Sequence, residues 1–162
     1  MKTGIRKLAK QYIQIGMVVV LAVMPEITYA TNTEREASAV SSTERLIVAL
    51  IEVESHGDDH VIGDKRMKNK AYGCLQIRKP CVDDVNQRLG SQYSPKDMLG
   101  NRSLSTLVCK TYLARYATRA RLGREPTLED KARIWNGGPN GWRKQETLGY
   151  WSGVQKELAK LK

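Results

Sequence analysis

The residues with the most chemical promise in this chain are carboxylic acids. Glu52 and Glu54 close a segment, Ser41 to Glu54, that reads as a helix. Ser41 and Glu44 have capping-box spacing, and Leu46, Ile47, Leu50 and Ile51 form an apolar stripe. With Leu46 at zero and a turn of about 100° per residue, Leu50 lies near 40°, Ile47 near 100° and Ile51 near 140°. Glu54 falls at about 80°, in the middle of the stripe, and Glu52 at about 240°, on the solvated side. Glu54 is therefore a carboxyl aimed at a core from the last turn of a helix, where the macrodipole also disfavours negative charge. Desolvation raises a carboxyl pKa, and a carboxyl that keeps its proton near neutral pH can donate it to a leaving group. Helix geometry alone leaves open a second role, a helix-end Glu paired with an Arg or Lys.

Asp58, Asp59 and Asp64 follow in a segment rich in Gly, Asp, Lys and Asn. Each reads first as a loop or turn residue, and any one could serve as a second carboxylate. His56 and His60 are four apart, but the intervening Gly57 argues against the continuous helix a metal pair would need. No metal and no cofactor is expected. Trp135 and Trp142 flank an Asn-Gly-Gly sequence and are candidates for stacking on sugar rings. Trp151 has helical spacing with Val154 and Leu158 and reads as core.

Four short motifs occur in order: Glu54-Ser55, Gly73-Cys74-Leu75-Gln76-Ile77, Asn136-Gly137-Gly138-Pro139 and Glu146-Thr147-Leu148-Gly149-Tyr150. This succession, spread over residues 42–155, resembles the soluble lytic transglycosylase family of the lysozyme-like superfamily. That family has Glu-Ser at a helix end, a Gly-Leu-Met-Gln-like segment, a Tyr-Asn-Ala-Gly-like segment and a late Glu-Thr-x-x-Tyr. The chain departs from the pattern at Cys74, Leu75, Trp135 and Gly137, which leaves the acid in place and the subfamily open.

The resemblance implies a mainly α, lysozyme-like domain with a short irregular or β-hairpin segment after the catalytic helix. It implies that Glu54 protonates the oxygen between N-acetylmuramic acid and N-acetylglucosamine. As a carboxylate, the same residue would then take the proton of the muramic C6 hydroxyl, which closes a 1,6-anhydro ring without water. Ser55, Gly73, Gln76, Asn136 and Tyr150 are the substrate-binding residues it implies, Tyr150 by contact with the acid. Each has a plainer alternative: a helix-terminal Ser satisfying backbone, a turn glycine, a surface Gln, a turn Asn and a core aromatic. The alternative functions are a water-using muramidase of the same fold and a non-catalytic peptidoglycan-binding module. The partners implied are peptidoglycan glycan strands, with a cell-envelope machine as a further one, no nucleic acid, and a monomeric state.

The elements that must position these residues follow from periodicity. A helix is expected after Pro80 to about Leu89, a long one from Asn101 to Leu122 ended by Gly123, and a third beginning at Thr127 and Asp130 and ending near Trp135. Asn136 to Gly141 reads as a loop and Glu146 to Lys162 as the last helix, with Trp151, Val154, Leu158 and Leu161 on one side.

The chain has 162 residues, room for one domain with a real core. It lacks Phe, so Tyr and Trp must supply the aromatic packing. Residues 1–30 read as a signal peptide, with an uncleaved anchor as the alternative: Lys2, Arg6, Lys7 and Lys10, then an apolar run from Ile15 to Met24, then Thr28-Tyr29-Ala30. Residues 31–40 read as a short linker and residues 41–162 as the domain. Export places the mature chain in the periplasm or outside the cell. Cleavage would leave 23 basic and 16 acidic residues, a charge of +7. Such a charge favours a polyanionic partner such as a cell-wall polymer or an acidic membrane surface. Cys74, Cys81 and Cys109 allow one disulfide, with Cys81–Cys109 the expected pair.

Overall fold

The computed structural model describes residues 42–161. The expected signal segment, the linker and the Ser41 cap lie outside the described residues.

Helix α1 spans residues 42–55. Its stripe does what the periodicity predicts: Leu46, Ile47, Leu50 and Ile51 are buried in the core, while Val48 on the far side is exposed. The helix ends because His56 and Gly57 both adopt positive φ, 52° and 80°. A two-stranded antiparallel hairpin follows, β1 (Ile62–Gly63) with β2 (Ala71–Tyr72), paired Ile62 to Tyr72 and Gly63 to Ala71. Tyr72 pairs again with Ile77 across a tight turn at residues 73–76.

Helix α2 (Lys79–Leu89) opens on Pro80 and closes on Gly90 at φ 66°. The expected long helix is two. Helix α3 (Arg102–Tyr116) stops at Ala117, and a single turn, α4 (Arg119–Leu122), begins on Thr118. The reason is local: the Thr118 hydroxyl accepts from the Arg121 amide, a cap that starts a new helix in place of continuing the old one. Helix α5 (Leu128–Gly137) starts at a capping box made by Thr127 and Asp130. Asp130 is buried and receives both guanidinium nitrogens of Arg124 at 2.6 and 2.9 Å. This helix runs two residues past Trp135, so Asn136 is helical and not in a loop. Helix α6 (Leu148–Lys160) is preceded by a short 3-10 turn at Gln145–Thr147 that takes Glu146 out of the helix.

Helix α2 packs on α3, α3 on α5, and α5 on α6. Leu46 and Leu50 of α1, Leu75 and Ile77 of the turn, Val108 of α3, Ile134 of α5 and Val154 of α6 form one core. The expected Cys81–Cys109 bridge is absent, and all three cysteines are free thiols. Burial pushes Cys74 up to about 11 and Cys81 up to about 12, and Cys109 upward as well. The sulfurs pack as small hydrophobes.

Two close approaches fix the ends of the elements that carry the site. Gly73 sits at φ 71°, and a Cβ there would lie 2.5 Å from the Met98 carbonyl oxygen. A Cβ on Gly141 would lie 1.9 Å from the Arg133 carbonyl oxygen, so only glycine lets the 141–143 turn close on α5. Gly73→Ala is expected to destabilise the domain by more than about 2 kcal/mol, from the clash and the positive φ together. A thermal melt should fall by roughly 5–10 °C; an unchanged midpoint would contradict this reading of the turn.

Candidate active site

The end of α1, the hairpin, the start of α2 and the end of α5 enclose a cleft of about 270 Å³. Glu54 is in its wall. So are Asp64 from the loop between the strands, Gln76, Arg78, Tyr112 of α3, and Trp135 and Asn136 of α5.

Glu54 is half-buried, and its pKa is raised above the usual carboxylate range, chiefly because burial penalises the charged form. Three weaker influences oppose this: the Tyr150 hydroxyl, the Arg78 charge and the Trp135 indole N–H. Tyr150 on α6 donates its hydroxyl to Glu54 Oε1 at 2.7 Å. Burial and the neighbouring Glu54 push the Tyr150 hydroxyl's own pKa up, so it remains a donor. Glu52, two residues away, has 46% of its side chain exposed and faces His56 at 3.6 Å. The helical count separates the two glutamates as the fold does.

The three aspartates after α1 divide by position. Asp58 Oδ1 accepts from the His60 amide at 2.8 Å, a turn bond. Asp59 pairs with Arg102 Nε at 2.9 and 3.2 Å, which holds its carboxyl below the usual range. Arg102 also donates to the Gly57 carbonyl at 2.6 Å, and so ties the loop after Glu54 to the start of α3. Asp64 alone of the three reaches the cleft, at φ 48° and ion-paired to Arg78. Arg78 is anchored in turn by the Asn69 carbonyl at 2.7 Å.

The remaining expected residues separate in the same way. Ser55 is buried, and its hydroxyl donates to the Ile51 carbonyl one turn back, at 3.1 Å. Gly73 is buried beneath the turn, its amide on the Val61 carbonyl at 2.9 Å. Neither lines the cleft, and both match their plainer alternatives. Gln76 does line it, at φ 49°, but its Nε2 donates to the Gly73 and Val61 carbonyls at 2.9 and 3.3 Å. A Cβ on Gly63 would meet Gln76 Oε1 at 2.0 Å. The amide is thus a strut between turn and hairpin. Asn136 is exposed at the cleft rim. Trp135 stands edge-on to Tyr112, ring centroids 5.9 Å apart, whereas Trp142 lies under the Arg143 guanidinium and packs on the core.

Arg78 and Tyr112 line the cleft and were not singled out from sequence; Ile77 and Cys81 line it too, the one named only as a motif end and the other only as a disulfide partner. Tyr112 was hidden by its place in the apolar row of α3; nothing local marks Arg78. Thr147, in the late Glu-Thr motif, is a buried hub. Its hydroxyl lies 2.7 Å from the Lys144 carbonyl and 2.9 Å from that of Gly141, and it accepts from Arg133 Nε at 2.9 Å.

A mainly helical domain with a half-buried acid at a helix end, and a small hairpin across a cleft from it, has a lysozyme-like fold. No protein-family model matches the chain. It is 34% identical over 90 residues to a lysozyme of Meretrix lusoria, covering 56% of this chain and 70% of that protein. It is 31% identical over 88 residues to invertebrate-type lysozyme 3 of Caenorhabditis elegans, covering 51% of this chain and 63% of that one. The crystal structure of Tapes japonica lysozyme superposes with a TM-score of 0.59 and 27% identity, over 69% of this chain and 87% of that one. The chain belongs to the lysozyme family that the Meretrix lusoria protein represents, and it spans less than two thirds of the Caenorhabditis elegans invertebrate-type lysozyme.

Because the folded-state pKa of Glu54 exceeds its unfolded value of 4.5, the residue adds stability below that value and loses it as pH rises through the folded one. Glu54→Gln cannot ionise and still accepts from Tyr150. It should raise the melting temperature at pH 7 and lose most of that advantage at pH 4. An equal difference at both pH values would refute the desolvated acid.

Proposed function

We propose that this chain is an exported muramidase that hydrolyses the glycosidic bonds of peptidoglycan. The observation that carries the reading is the presence of two carboxyls in one cleft: Glu54, biased toward its protonated form, and Asp64, held against a guanidinium. Most glycoside hydrolases use such a pair, one acid and one carboxylate with different surroundings. Glu54 gives its proton to the leaving oxygen. Asp64 supplies the negative charge that meets the positive charge developing on the sugar, or directs the water that attacks it. Tyr150 holds the Glu54 carboxyl at one oxygen and leaves the other for the substrate. Trp135 offers an aromatic wall for a sugar ring, and Asn136 a polar group at the rim.

The non-hydrolytic alternative needs one carboxylate, since the muramic C6 hydroxyl is its nucleophile. The relatives are lysozymes, and Asp64 lines the cleft; both support the water-using reaction over transglycosylation. The signal-like start of the sequence and the basic charge suit a protein that meets the anionic wall outside the cytoplasm.

Glu54→Gln should lower the turnover of purified peptidoglycan by about 10²–10⁴-fold, the usual worth of a general acid. Asp64→Asn should lower it by about a hundredfold, the scale of losing one group that stabilises transition-state charge. A fully active Asp64→Asn protein would return the assignment to single-carboxylate chemistry. Digestion in ¹⁸O-water should place one label at each new reducing end; unlabelled products lighter by one water would identify the anhydro reaction. Tyr150→Phe removes a bond that lowers the Glu54 pKa, so the alkaline limb of the activity profile should move to higher pH. A limb that stays in place would show that the hydroxyl does not tune the acid.

A further inference from the structure

Strand β2 has two faces, and only one of them serves the cleft. Ala71 lines the cleft; Tyr72, the next residue, lines a second pocket of about 240 Å³ on the other side. The same division recurs at the start of α2, where Arg78 faces the cleft and Lys79 faces the second pocket. The two cavities therefore abut along the hairpin and the first turn of α2, one residue apart in the chain at two separate places.

The second pocket is cationic. Lys68, Lys70, Lys79 and Lys96 line it around Tyr72, and no carboxylate is in its wall. Lys79 is held by Asp83 one turn along α2, at 2.7 and 2.8 Å. Lys68, Lys70 and Lys96 pair with no carboxylate among the described residues. The nearest acid in sequence, Asp97, is already engaged: it accepts from the Ser94 amide at 2.7 Å and the Ser94 hydroxyl at 3.0 Å. Gathering like charges in a concave surface raises the local potential and concentrates anions there. Lysine ammoniums on flexible stems suit a group approached as a point charge, such as a carboxylate or a phosphate.

We propose that the Tyr72 pocket is a second binding site, which takes an anionic group of the wall polymer whose glycan occupies the cleft. The proposal rests on the peptidoglycan reading for the identity of that polymer, whereas the pocket's charge and position stand by themselves. A strand held at Glu54 and crossing the hairpin would carry its substituents over Lys70 and Lys96. These are the carboxylates of its peptide stems or the phosphates of a polymer attached to it. The pocket thereby selects substituted, anionic wall over bare glycan.

The test uses the full chain with Lys70→Gln and Lys96→Gln together, and a control carrying Lys156→Gln and Lys160→Gln on α6. Wall binding is read by co-sedimentation in a Glu54→Gln background, so that it does not depend on turnover. The pocket variant should bind intact purified walls about fivefold more weakly, as expected for two exposed charge contacts, and cleave an uncharged chitin oligosaccharide at the parent rate. The control should bind walls nearly as the parent does. Repeating the binding on walls stripped of phosphate polymers separates the sources. A persisting defect assigns the site to stem carboxylates, and a vanished one to phosphates. Unchanged wall binding in the pocket variant, or an equal loss in the control, overturns the proposal. An inactive parent would overturn the proposed function alone, because the binding measurement does not require cleavage.

Discussion

A carboxyl works as an acid near neutral pH only if its surroundings penalise its charge, and only if one of its oxygens still reaches the substrate. At Glu54 burial penalises the charge, and the Tyr150 hydroxyl engages one of the two oxygens. The partners are 96 residues apart in the chain. Helix α1 brings the acid to its C-terminal turn, and α6 brings the phenol. The hydrogen bond fixes one oxygen of the carboxyl, while burial outweighs the stabilisation that the bond gives the anion. Placing α6 in turn depends on the Thr147 hub and on the close approach of Gly141 to α5.

The opposite wall is built from strain and struts. Among the described residues, three other than glycine have positive φ, namely His56, Asp64 and Gln76. Asp64 and Gln76 line the cleft, whereas His56 does not. His56 ends α1 directly after Glu54 and Ser55. Asp64 turns out of β1 toward Arg78. Gln76 closes the turn whose backbone it also braces with its own amide. Such conformations cost free energy and persist only where neighbours over-determine them. Here the neighbours are the Arg102 clamp on Asp59 and Gly57, the Met98 carbonyl over Gly73 and the Gln76 strut under Gly63. Gln76 thus contributes to the cleft by holding its shape, and its position on the wall follows from that task.

The charges are sorted by the same geometry. Of the acids that follow α1, Asp58 closes a turn, Asp59 pairs with Arg102 and Asp64 faces the cleft. Arg78 turns inward to Asp64, while Lys68 and Lys70 of the hairpin line the pocket on the other face of β2. Of the basic residues 65–70, Lys68 and Lys70 line the pocket beside the cleft, and Lys65 and Arg66 do not.

The sequence by itself determined where most of the helices lie and which glutamate of α1 faces the core. The stripe of α1 singled out Glu54 over Glu52, and Thr127 with Asp130 marked the start of α5, because caps and periodicity are local and act over a few residues. The order of the motifs carried the lysozyme-like fold. Sequence could not choose among Asp58, Asp59 and Asp64, since their difference lies in what Arg102 and Arg78 do after the chain has folded back. It could not see Tyr112 or Arg78 in the cleft, because an apolar row and a lone arginine look the same wherever they point. It also placed Ser55 and Gly73 among the binding residues by their motifs, whereas packing turned both inward. Those decisions belong to tertiary structure, because each depends on a partner remote in sequence.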